Sequence, residues 1–344
     1  MVVHRGSYCR GSRPSTGGDR NVQKPGREPA LDGLRAIAVV LVLGYHGFGE
    51  FVSGGWLGVD VFLVLSGFLM GLILLPQLEA GRLNLRDFWA RRVRRLLPGL
   101  VTVVGVVFVL SWFLLSGEAF RQFSESALWG VLFISNLFFW QNSGYFDTPL
   151  DENPLLHLWS VSLEGQFYFF LVVILIIAVR LGPRSFKALA WSVGLLSLAF
   201  ALSGVLEPET TFFLLPTRIW EFIAGALLAD AIRKRATSTL PGWFSLSLGV
   251  AGGITIIGWG VFADSSQYSA LSSVAVTAGT LALIYSARYS KPIAQALASR
   301  PLVGVGLISY SLYLWHWPLL VLGREVFVDF GAPQVALTLA ASFA

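Results

Sequence analysis

One cysteine, two methionines and charged side chains at only 13% of 344 positions leave this chain few of the groups that soluble enzymes use. The lone Cys9 excludes an internal disulfide and a cysteine-built metal cluster. HxxxH, HxxEH and CxxC spacings are missing, so no metal is expected. A GxSxG elbow is also missing, as is a phosphate-cradling glycine loop, which removes the usual frames for a serine nucleophile or a bound nucleotide. Ser66 and Ser160 beside apolar neighbours read as small helix-packing residues rather than nucleophiles. No internal repeat is visible.

What fills the sequence is apolar: 55% of residues are hydrophobic, beyond the range of soluble globular chains and typical of a polytopic membrane protein. The net charge of +5 sits largely in the N-terminal tail and in short connections. There it reports orientation and contact with membrane lipids, and gives no reason to expect a nucleic-acid partner. Residues 1–30, rich in Gly, Arg, Ser and Pro, read as a disordered cytoplasmic tail. Residues 31–344 read as one transmembrane domain.

Positive-inside counting then threads the chain. Spans are expected at about 34–51, 56–75, 97–115, 157–179, 188–206, 212–232, 243–262, 270–287 and 301–322. Arg180, Arg184 and Lys187, then Arg233, Lys234 and Arg235, then Arg288, Lys291 and Arg300 fall on the cytoplasmic side each time. The stretch from Ala127 to Trp140 is short for a crossing and reads as re-entrant or interfacial. That leaves the loop with Asp147, Asp151 and Glu152 outside. A last apolar run from about Gln334 to Ala344 is too short to cross and reads as a truncated tenth span. The expected fold is an all-α polytopic bundle, multi-pass in a bacterial cell membrane, with its N-terminus in the cytoplasm.

Ionisable groups set into such spans cost a few kcal/mol each unless they are paired or wetted, so each marks a candidate site. Arg35 and His46 are eleven residues apart. That is about 20° past three full turns, which puts both on one helix face about 16 Å apart. His46 stands seven residues before Ser53 and Asp60 seven after it, so a hairpin brings them to similar depth and could pair them. Glu164, Arg218, Glu221 and His316 are expected near the same level. With His157, Trp159, Tyr168 and Tyr313 they make a candidate hydrated substrate pocket. His46 is the expected general base, with Asp60 or Glu164 orienting it, and a covalent acyl-histidine relay is the alternative role for the same side chain. Arg92 and Arg95 belong to the densest basic cluster, suited to a phosphate-bearing ligand at the membrane surface.

Six ordered blocks carry a family resemblance: LDGLRAIAVVLVLGYH, GWLGVDVFLVLSGFLM, FWARRVRRLLP, NPLLHLWSVSLEGQFYFF, RIWEFIAGALL and ISYSLYLWHWPL. Together they resemble the membrane acyltransferase-3 family, the bacterial O-acetylases of cell-envelope glycans. The resemblance implies about ten helices, with acetyl-CoA or another acyl-CoA as cytoplasmic donor. The implied acceptor is a hydroxyl of an envelope glycan or glycolipid on the outer side. The family's arginine-x10-histidine motif falls on Arg35 and His46, and its RxxR motif on Arg92 and Arg95. Many relatives carry a further SGNH-type esterase-like domain, expected here to be missing. The competing expectation from the residues alone is a proton-coupled secondary transporter or glycan exporter, whose midplane ionisable groups would couple protons to transport.

Overall fold

Helices follow the apolar runs in the computed structural model, which describes residues 28–143, 150–182, 184–235, 240–263 and 269–343. Residues 1–27 of the tail read as disordered, Cys9 among them, and Asp147 lie outside the described residues, whereas Pro29 and Ala30 at the end of that tail already belong to the first helix. Helices α1 (Pro29–Phe48) and α2 (Gly58–Glu79) form the expected hairpin, closed by a 3-10 turn at Gly55–Leu57. Then come α3 (Leu85–Leu114), α4 (Gly117–Val131), α5 (Ser135–Asn142), α6 (Leu158–Leu181) and α7 (Ser185–Leu202). The short α8 (Pro208–Phe213) leads into α9 (Leu215–Lys234). The chain continues through α10 (Gly242–Phe262), α11 (Ala270–Tyr289), α12 (Lys291–Leu297), α13 (Arg300–Val326) and α14 (Ala332–Ala341). Among the described residues nine helical segments are long and apolar enough to cross a membrane: α1, α2, α3, α6, α7, α8 with α9, α10, α11 and α13. The chain is a multi-pass helical membrane protein.

The basic stretch before the third span, expected as a connection, is instead the first three turns of α3, capped where the Asn84 side chain accepts from the Asp87 amide at 3.0 Å. Phe88, Arg92, Leu96 and Leu100 recur at helical spacing and are buried, while Arg91, Arg94 and Arg95 are exposed, Arg95 on the wall of a small cavity. Helical periodicity therefore overrides charge density here and sorts the arginines onto two faces.

α2 is the hub. Of its apolar span 78% is buried, against 28% for α7 and α10 at the periphery. Close approach of α2 to α9 depends on glycine. A Cβ on Gly67 would sit 1.8 Å from the Phe222 carbonyl oxygen, and one on Gly225 would sit 2.1 Å from that of Val64. Missing side chains let the two backbones touch, as at small-residue interfaces between membrane helices.

Two sets of contacts define the ends of the bundle. At one end Arg233 and Lys234 bridge to Glu79, and Lys187 reaches Asp230 at 3.1 Å, gathering the end of α2, the start of α7 and the end of α9. At the other, Ser53 in the α1–α2 turn donates to the carbonyls of Val261 and Ala263 at the end of α10. Trp317 there donates to Asn153 O at 2.9 Å.

Between α4 and α5 the helix breaks at Phe133, a non-glycine residue in the left-handed region at φ 58°. Non-helical backbone inside an apolar bundle needs partners. Side chains of α6 supply them: Gln166 donates to Phe133 O at 3.1 Å and to Asn136 Oδ1 at 2.6 Å, and Ser162 Oγ accepts from the Ser135 amide at 3.1 Å. The stretch from Ala127 to Trp140 is thus two short helices joined by a knot of polar contacts.

Candidate active site

His46 lies in the last turn of α1 and stands in a cavity of about 520 Å³ walled by Trp56, Trp159, Phe212, Trp317 and His157. Its ring is held between Trp317, at 4.6 Å between centroids, and His316, at 5.1 Å. His46 Nδ1 and His316 Nε2 are 2.9 Å apart. His316 Nδ1 lies 2.7 Å from Tyr313 O and 3.2 Å from Leu312 O.

That pattern fixes the protons. Carbonyl oxygens only accept, so His316 Nδ1 carries its hydrogen and, in the neutral ring, Nε2 is bare. His46 Nδ1 must then be the donor across the 2.9 Å contact, which leaves His46 Nε2 with a free lone pair beside the cavity. A neutral imidazole held this way can take a proton from a hydroxyl. His157, at the start of α6, completes a cluster of three histidines. It donates from Nε2 to Leu314 O at 3.1 Å and stands edge-on to His316, with its Nδ1 buried and without a hydrogen bond. Among the described residues no three His, Cys, Asp or Glu side chains converge in a way that could hold a metal ion.

Arg35, on the same helix face as His46, opens into a second, smaller cavity of about 70 Å³ with Arg95, Ser66, Glu164, Tyr310 and Ser309. Glu164 Oε1 accepts from Ser66 Oγ at 2.5 Å and from the Tyr168 hydroxyl. Tyr310 donates to Leu96 O at 2.7 Å, tying α13 to α3. Arg35 is 3.7 Å from Asp32 one turn away. Arg92 stands outside this cavity. It is 9% exposed, and its guanidinium lies over the rings of Tyr168 at 5.4 Å and Phe88 at 5.8 Å. The two arginines of the RxxR pair therefore differ: Arg95 faces the cavity, and Arg92 supports the tyrosine that bonds Glu164.

Asp60, expected beside His46, is instead ion-paired and hydrogen-bonded to Arg218. Glu221 Oε1 lies 3.1 Å from Arg218 Nε on the same helix, and Ser273 of α11 is 3.4 Å from Arg218 Nη1. All three charged side chains are fully buried and line neither cavity. One guanidinium between two carboxylates joins α2, α9 and α11, and removing one member would strand buried charge. The six groups expected at one level thus separate into a histidine cluster, the Glu164 network and this triad. No hydrogen bond joins His46 to Asp60 or Glu164; its partner is His316.

Of the residues read as a substrate pocket, Trp159, Tyr313 and His157 are on the wall of the larger cavity, His316 stands behind His46, and Tyr168 stands behind Glu164. Glu209 and Phe212, also on the larger cavity's wall, escaped the sequence reading. They lie in the six-residue α8, too short for its periodicity to announce a buried face.

Comparison with known proteins gives the family. The acyltransferase domain family, acyltransferase-3, matches residues 28–344. The peptidoglycan O-acetyltransferase OatA of Listeria monocytogenes is 32% identical over 317 residues, covering 87% of this chain and 50% of that protein. The O-acetyltransferase OatA of Staphylococcus aureus is 31% identical, covering 88% of this chain and 52% of its own length. The putative peptidoglycan O-acetyltransferase YrhL of Bacillus subtilis is 32% identical, covering 87% and 49%. The chain spans about half the length of the curated relatives it matches. No solved structure matches.

Proposed function

The chain belongs to the acyltransferase-3 family, and from that premise we propose that it is an integral membrane O-acyltransferase of the bacterial cell membrane. It would move an acetyl group from cytoplasmic acetyl-CoA to a hydroxyl of a cell-wall glycan on the outer side, with its N-terminus inside. The names of its relatives, peptidoglycan O-acetyltransferases, support that acceptor class. The observation that carries the reading is His46 on the wall of a cavity lined by aromatic rings, with its tautomer set by His316 so that Nε2 holds the lone pair.

In this reading Arg95 and Arg35 receive the donor's phosphates at the cytoplasmic end, where guanidinium binds phosphate bidentately. The donor's extended arm occupies the smaller cavity, and its thioester reaches His46 over the span of about 16 Å along α1. His46 Nε2 takes the proton of the acceptor hydroxyl as its oxygen attacks the thioester carbonyl carbon. His316 Nε2 accepts from His46 Nδ1–H and steadies the imidazolium that forms. When the carbon–sulfur bond breaks, His46 Nε2–H returns the proton to the leaving thiolate. Protons and electrons balance, and the products are the ester and the free thiol. Glu164, bonded by Ser66 and Tyr168, helps to shape the donor end, and Asp60 with Arg218 and Glu221 holds the helices that carry the site.

The test is thioester consumption by purified protein in proteoliposomes with a soluble glycan fragment as acceptor. Wild type should release free CoA in an acceptor-dependent way, and His46→Gln should bind donor without turnover. Equal turnover by His46→Gln would remove His46 from the chemistry.

A further inference from the structure

The two cavities are separated by very little. Val59 and Tyr313 line both, so the Tyr313 ring is at once a wall of the His46 chamber and of the Arg35 chamber. Its hydroxyl is held from across the boundary. The His157 carbonyl, 2.9 Å away, can only accept, so the phenol donates there and accepts in turn from Ser160 Oγ at 2.7 Å. Both partners belong to the start of α6, whereas Tyr313 belongs to α13, so one phenol latches two helices over the boundary. Phe62 packs edge-on to the ring at 6.3 Å. The backbone carbonyl of Tyr313 accepts from His316 Nδ1, which places the boundary ring and the ring that sets the His46 tautomer on one helical turn.

We propose that Tyr313 is a partition that keeps water of the larger chamber away from the donor thioester and swings aside when an acceptor is seated. The proposal rests on the acyl-transfer reading above. Its chemical sense lies in the side reaction. Water attacking the thioester carbonyl carbon breaks the carbon–sulfur bond, gives a free carboxylic acid and thiol, and wastes the donor. Excluding water until the acceptor arrives suppresses that loss, and a flat side chain held by two hydrogen bonds can close the boundary yet release by rotation.

The experiment reads the partition without relying on catalysis. In Cys9→Ser protein, Ser309→Cys reports from the Arg35 chamber, and Glu209→Cys identifies the membrane face from which the His46 chamber is reached. A small impermeant thiol reagent is added at that face. Tyr313→Ala should raise the labelling rate of Ser309→Cys by roughly tenfold or more, and should raise acyl-CoA hydrolysis without acceptor to a similar extent. Tyr313→Phe keeps the ring but loses the latch and should give a smaller rise, which decides the matter if the alanine variant does not fold. Unchanged labelling of Ser309→Cys in a folded Tyr313 variant overturns the partition. Faster labelling with no thioester chemistry even in wild type supports the partition and brings down the acyl-transfer reading alone.

Discussion

His46 and His316 act as one unit because each supplies what the other's ring nitrogens need, and that dependence can be read by substitution. His316→Ala removes the acceptor of His46 Nδ1–H, frees the tautomer and should lower kcat by about 100-fold or more. In His316→Gln the side-chain oxygen can still accept from His46, so a measurable part of the activity should return; equal loss in both variants would mean that packing, not the tautomer, is what His316 provides. The arginines separate in the same manner. Arg95→Ala should raise the donor KM by about tenfold or more with kcat nearly kept, since a charge-assisted phosphate contact contributes about 1.5–3 kcal/mol. Arg92→Ala should lower kcat or stability and leave donor affinity near wild type, because its guanidinium lies on Tyr168 and Phe88. Steady-state kinetics on the two variants distinguishes these outcomes. How much of this was legible in the sequence follows a physical line. Eleven steps along one helix are enough to put Arg35 and His46 on a common face, since both lie in the unbroken α1 and that geometry is local. Matched depth along the hairpin suggests a pairing of His46 with Asp60, but depth is one coordinate only. Which face of α2 turns toward α1 is decided by packing, and α2 turns Asp60 toward Arg218.

At the scale of the helices, that rotation is set by glycine. Gly67 and Gly225 let α2 and α9 meet backbone to backbone, and Gly67→Ala would drive a methyl group into the Phe222 carbonyl. Overpacking of this kind typically costs about 1–3 kcal/mol. Thermal unfolding in detergent should show a lowered midpoint for Gly67→Ala, while Gly105→Ala, inside α3 with open space around it, should match or slightly exceed wild type. The break between α4 and α5 depends on Gln166. Gln166→Leu would leave Phe133 O and Asn136 Oδ1 without that donor, at about 1–3 kcal/mol for each group left buried and unsatisfied. Span positions were legible to within a few residues because long apolar runs have no other solution in a bilayer. The helical state of the basic segment before Leu96 was not, since charge counting reports side and leaves conformation open.

For the whole molecule, the ion pairs of Glu79, Lys187, Asp230, Arg233 and Lys234 gather at one end, and the histidine cluster lies toward the other. If the first of these ends is cytoplasmic, Asn142→Cys should react with an impermeant reagent from outside and Arg184→Cys only after the membrane is opened. Labelling of both from the same side would overturn the orientation. The central claim, transfer of an acyl group through the bundle by way of His46, is tested most directly with labelled acetyl-CoA sealed on the Arg95 side of proteoliposomes and a glycan acceptor supplied only on the opposite side. The account predicts labelled ester on the acceptor outside, free CoA retained inside, and neither product with His46→Gln. Ester formation by His46→Gln at the wild-type rate, or by wild type only when donor and acceptor share one side, would contradict it.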